Sequence, residues 1–189
     1  MDARDFVAMT LLASGGHVRG KTKLQKLVYI VGILTRSLDE LGYRPHFYGP
    51  YSDDVAEAVS HLKTIGAIEQ TVSDWGYNSS GFEIRRYDFS LNDPGRKFVE
   101  GLAHENSELW EKIRGAVKIY EQAGDRDYMA LSIAAKTYFL LDHRKAPASD
   151  SALAALAARF GWSVTPDQVR AAVDYLVSLN LVQRVAPTT

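Results

Sequence analysis

The chain has 189 residues, of which 46% are hydrophobic and 24% charged, with a formal net charge of −1. That length suits one substantial domain or two small ones, and the near-zero charge excludes a protein coated in phosphate-binding cations, although a local patch would suffice. Cysteine is absent, which excludes disulfides, thiolate zinc sites and a cysteine nucleophile; MDARDF carries no apolar signal core and no stretch is apolar enough to span a bilayer, so a cytoplasmic protein off the membrane is expected.

Phe6, Val7, Met9, Leu11 and Leu12 predict a first helix over 3–14, stopped by Gly15 and Gly16. Thr22 and Gln25 form a capping-box pattern. Leu24, Leu27, Val28, Val31, Leu34 and Leu38 then recur at helical spacing and carry a second helix to about Leu41, where Gly42 and Pro45 end it. The link YRPHFYGPY is aromatic and punctuated by proline, and reads as an ordered loop packed on the core, the alternative being a partner surface or a base-stacking platform. Ser52 caps a third helix with Asp53 and Asp54 in its first turn. Ile68–Trp75 reads as a strand, Tyr77–Gly81 as a turn-rich tip and Phe82–Leu91 as the return strand. Asn92 or Asp93 caps a further helix, with Pro94 in its first turn.

The second half starts near Asn106. Leu109, Ile113, Val117 and Tyr120 mark one helix face, closed by Gly124. Tyr128–Leu141 is apolar around most of its circumference, so it belongs at the centre of a core or in a homodimer interface. HRKAPASDS is a loop, Ser151–Phe160 a short helix, and 166–179 a helix capped by Thr165 with Pro166 first. Leu181–Val185 reads as a last short strand before a fraying tail.

One pattern occurs twice. Residues 52–70, SDDVAEAVSHLKTIGAIEQ, align with 166–184, PDQVRAAVDYLVSLNLVQR, at a constant offset. Val55, Ala58, Val59, Leu62, Ile65 and Ile68 fall on Val169, Ala172, Val173, Leu176, Leu179 and Val182, and Gly66 falls on Asn180. Each copy reads as an amphipathic helix, a left-handed stop and a strand start, which is how the third helix of a winged helix-turn-helix enters its wing. The expected fold is therefore mainly α with a small β hairpin. A winged-helix domain over 1–103 precedes a truncated winged-helix-like helical half over 104–189, and the two halves could share one core.

From about residue 20 to 102 the chain resembles a set of bacterial and archaeal winged-helix proteins. KTKLQKLVYI (21–30), FYGPYSDDV (47–55) and HLKTIGAIEQ (61–70) carry the likeness, and RRYDFSLNDPGRKFVEGL (85–102) looks like the strand-then-helix ending of many winged-helix regulators. The first two stretches are similar to YwgA-like proteins and, more distantly, to the SocA-like antitoxin domain also called Panacea. The resemblance implies a regulator or an antitoxin-type binding protein rather than an enzyme, and implies no cofactor.

Arg19, Lys21, Lys23 and Lys26 lie in one stretch without an acid, at the entrance of the second helix, where phosphates would be attracted. The alternative is a solvated basic helix start. Arg85 and Arg86 sit on the wing, where arginine contacts phosphates or a minor groove; neighbours on a strand face opposite ways, so at most one would meet DNA directly. The third helix is unusual for a DNA reader, because Asp53, Asp54 and Glu57 occupy the turns that normally approach bases. That leaves His61, Lys63 and Thr64 as candidate readers toward its other end. His17, His46, His61, His104 and His143 show no metal-ligand spacing, and no catalytic motif is present. The first expectation is a non-enzymatic transcriptional regulator that binds double-stranded DNA as a homodimer. The alternative is a protein-interaction module of antitoxin or complex-assembly type.

Overall fold

A computed structural model describes residues 2–77 and 83–185. The wing tip expected from residue 78 onward and the tail 186–189 lie outside the described residues. Eight helices and a three-stranded antiparallel sheet are present among those described. The molecule is thus mainly α with a small β element, and among the described residues no helix is long and apolar enough to cross a membrane.

Helix α1 (Ala3–Ala13) is capped by Asp2. Gly15 and Gly16 follow with φ of 80° and 82°, a left-handed pair that reverses the chain at little steric cost. The reversal delivers β1 (His17–Arg19), a three-residue strand that the sequence periodicity does not signal. Three residues are too few for an alternation signal; only Val18 is buried, paired with Phe89. Helix α2 (Lys21–Leu34) starts two residues earlier than expected and without the capping box: Gly20 is its N-cap and no side chain caps it. It also ends earlier. Arg36 takes a left-handed φ of 59° and the Ser37 amide donates to the Gly32 carbonyl, so Leu38–Leu41 forms a separate 3-10 turn instead of more helix.

Helix α3 (Asp53–Thr64) is capped by Ser52, whose Oγ accepts from the Val55 amide at 3.0 Å. Gly66 turns the chain into β2 (Ile68–Tyr77), which pairs with β3 (Glu83–Leu91) from Ile68↔Leu91 to Asp74↔Arg85. The sheet order is β1-β3-β2. The first half thus runs helix, strand, helix, helix and hairpin in chain order. Asn92 caps α4 (Asp93–Glu105), and Asn106 separates it from α5 (Ser107–Gln122).

The second half continues with α6 (Tyr128–Arg144), α7 (Asp150–Ala158) and α8 (Pro166–Ser178). The helix and its stop fold alike in both copies, except that Ile65 is exposed where its counterpart Leu179 is buried. Val55 and Leu62 of α3 are buried as Val169 and Leu176 of α8 are, and Gly66 and Asn180 both take left-handed φ, 71° and 58°. Thr165 and Gln168 form a full capping box at the start of α8. The expected strand over 181–185 does not form: the segment is irregular, and among the described residues no strand lies beside it to pair with. The main core runs across the boundary expected near residue 103. Phe6, Val28 and Leu62 belong to the same buried cluster as Val117, Leu131 and Leu176. A smaller cluster around Leu140, Leu153 and Trp162 fills the far end.

Candidate interaction surface

The two stretches that carry the YwgA-like resemblance meet each other in space. Gln25 of α2 donates from Nε2 to the Ser52 carbonyl at 2.8 Å and accepts from the Ser52 amide at 3.1 Å. Lys26 donates to the Pro50 carbonyl at 2.6 Å. The Tyr43 hydroxyl donates to the Gln25 carbonyl at 2.7 Å. Buried backbone groups must find partners, and α2 supplies them for a segment that is neither helix nor ladder. The loop 43–51 is pinned from its other side by the second half. Trp162 Nε1 donates to the His46 carbonyl at 2.7 Å, and Gly49 sits against α6 with φ of 90°. A Cβ there would press on Lys136 Cγ at 3.0 Å and the Ser132 carbonyl oxygen at 3.2 Å.

The loop reads in the sequence as packed on the core, and its backbone is. Its side chains divide: Gly49, Pro50 and Ser52 are buried, whereas Phe47 is 81% and Tyr48 56% exposed. His46 stacks obliquely on Tyr51 at 5.2 Å and meets Phe47 edge-on at 5.6 Å. The result is an aromatic knuckle at the junction of the two halves, its backbone anchored from both sides. Asp53, Asp54 and Glu57 are exposed on the helix that follows it.

The residues expected to contact phosphates do not form one solvent-facing set. Lys26 is corrected outright: it is only 1% exposed, because helical spacing places it on the inward face of α2, under the 43–51 loop. Burial, helped by the nearby Lys136 charge, pushes its ammonium down to about 8. Lys23 forms an ion pair with Asp125. Lys21 is exposed and lies over the Tyr87 ring, 3.9 Å from its centroid. Arg19 is exposed on β1 beside them. Arg85 is exposed on β3; Arg86 points its Nε at the Asp88 carboxylate at 2.9 Å. His61, Lys63 and Thr64 are exposed at the end of α3, with Lys63 donating to Gln70 Oε1 at 2.7 Å and the Thr64 hydroxyl donating to the Ser60 carbonyl.

Sequence reasoning missed Gln25 and Trp162 as the residues that shape this surface. Gln25 looked like a helix-capping side chain, and nothing in the spacing of Trp162, 116 residues from His46, pointed to that loop. Among the described residues no group of three or more His, Asp or Glu side chains is placed to hold a metal.

No protein-family model matches this chain. Over 92 residues it is 30% identical to YwgA of Bacillus subtilis (strain 168), a protein described only as uncharacterized. The match takes in 49% of this chain and 51% of that protein, so the chain spans about half the length of the relative it matches.

Proposed function

We propose that this chain is a non-enzymatic binding module whose partner is another protein, docked on the 43–51 loop and the start of α3. The observation that carries this reading is the exposed Phe47–Tyr48 pair on a backbone anchored from two sides. Rigid exposed aromatics lose little entropy on binding and commonly form the energetic centre of protein interfaces. The exposed acids of α3 stand where a DNA phosphate backbone would be repelled, and they suit a basic rim on the partner. The resemblance to an antitoxin-type domain points the same way.

Double-stranded DNA is the second reading, favoured by Arg19 and Lys21 exposed at an α2 start whose first turn holds no acid. Self-association is compatible with either. Helix α6 packs inside the chain against α2, α7 and α8, but leaves Tyr128 and Met129 exposed in its first turn.

The readings separate experimentally. Tagged wild type, Phe47→Ser/Tyr48→Ser and Lys21→Glu/Lys23→Glu are compared for capture of a stoichiometric protein from the native cell and for binding to random duplex DNA at low and physiological salt. A partner held at physiological salt and lost only in the aromatic double variant, with no duplex binding, supports the protein reading. Duplex binding that falls steeply with salt and vanishes only in the lysine double variant overturns it in favour of DNA.

A further inference from the structure

Three lysines border one cavity, and each rests on an uncharged partner. The cavity, of about 310 Å³, opens between the start of α2, the 43–51 loop and α3. Lys21, Lys26, Lys63, His46, Tyr48 and Tyr51 line it, and among the described residues no carboxylate does. Lys21 lies over the Tyr87 ring, Lys26 donates to the Pro50 carbonyl and Lys63 donates to Gln70 Oε1. Elsewhere on the molecule Lys23, Lys112, Arg114, Lys145, Arg170 and Arg184 each touch a carboxylate, while Arg126 and Lys136 also lie over aromatic rings.

Three like charges around one concavity repel each other, and one of them, Lys26, is held away from water with no counter-charge. An anion in the cavity would supply that counter-charge in a place where Coulomb interactions are weakly screened. The volume lies at the small end of the ligand-site range of about 300–1,000 Å³, enough for one ring and one charged group. Tyr48 and the His46–Tyr51 pair offer aromatic surface to such a ring. A small molecule fits this enclosure better than a duplex, whose backbone would track along an open surface.

We propose that this cavity binds a small ring-bearing organic anion, a monophosphate or carboxylate, with Lys21 and Lys63 contacting its charge and Tyr48 its ring. The site shares Tyr48 with the knuckle proposed as a docking surface, so a docked protein would compete for it; titration of the isolated chain tests the cavity apart from that reading. The test is titration of phenyl phosphate into the 15N-labelled full chain, followed by amide NMR. Saturable shifts centred on 21–26 and 60–63 are expected at millimolar concentration or below. Lys21→Gln/Lys63→Gln should weaken binding at least tenfold while its unliganded spectrum stays dispersed. Benzyl alcohol and inorganic phosphate should each bind at least tenfold more weakly than phenyl phosphate. The proposal is overturned by absence of saturable shifts, by shifts that persist unchanged in the double variant, or by either control binding as well as phenyl phosphate.

Discussion

Lys26 shows how one side chain can be placed correctly on a helix and wrongly in space. A lysine among Lys21 and Lys23 reads as one more surface cation, yet the 3.6-residue period turns it beneath the Gly49-Pro50 bend. Its burial has a pH signature. The folded value is about 8 against 10.5 for the free side chain, so between these values the unfolded chain holds more protons than the folded one. Stability therefore rises with pH across that window. The gain is at most about 3 kcal/mol, and it is opposed above the ordinary tyrosine range, because burial raises Tyr29, Tyr43 and Tyr120. Denaturant melts from pH 7 to 9.5 should show a rise for wild type that is flattened in Lys26→Met; equal slopes would refute the assignment. Gly95 makes a different kind of point. It lies in the first turn of α4 directly against the Ala67 carbonyl, and a Cβ there would overlap that backbone oxygen. Gly95→Ala should cost about 3 kcal/mol in a chemical melt, whereas Gly101→Ala, in open space on the same helix, should not destabilise.

The duplicated helix and stop behave as equivalent units because the same local physics acts on each. An apolar stripe buries one face, and a residue that tolerates left-handed backbone closes the helix. Gly66→Ala and Asn180→Ala should each lower stability by about 1 kcal/mol, and Asn180→Gly should be neutral or mildly stabilising; calorimetry on the three variants checks this. The copies differ at Ile65, exposed where Leu179 is buried, and diverge fully after the stop. Ile68 enters β2 because β3 offers a full edge with which to pair, while Leu181–Val185 meets no strand among the described residues. The clamp between α2 and the 43–51 loop sits above local propensity altogether. Gln25→Leu would leave the Ser52 amide and carbonyl without their side-chain partner, at about 3 kcal/mol for the pair. The variant should also alter Trp162 fluorescence, since Trp162 holds the far side of the same loop.

Taken together, the two halves fold around one main cluster, not two. Residues of α1, α2 and α3 share it with α5, α6 and α8, and the aromatic knuckle is held by both halves at once. Full-length protein should therefore unfold in a single cooperative transition. A fragment of residues 1–103 should lack native near-UV dichroism and bind hydrophobic dyes, because the face covered by Val117, Leu131 and Leu176 would be bare. Independent folding of that fragment would show that the boundary near 103 separates true domains.

Much of this architecture was legible in the amino-acid order, because helices, caps and stops are local. Ser52, Asn92 and Thr165 announce the helices they cap, and the spacing of Val55, Ala58 and Leu62 announces which face turns inward. The hairpin followed from β-branched and aromatic runs flanking turn residues. What the order could not show was anything that depends on a distant partner. The three-residue strand β1 exists because β3 lies beside it, and the missing last strand fails for want of such a neighbour. The same holds for the candidate surface. Charge type and spacing were visible, but burial of Lys26, pairing of Lys23 with Asp125 and exposure of Phe47 are set by contacts across tens of residues. Local composition determined the elements of this protein; only the tertiary structure decided which charges and rings they leave facing solvent, because burial is a property of the packed whole.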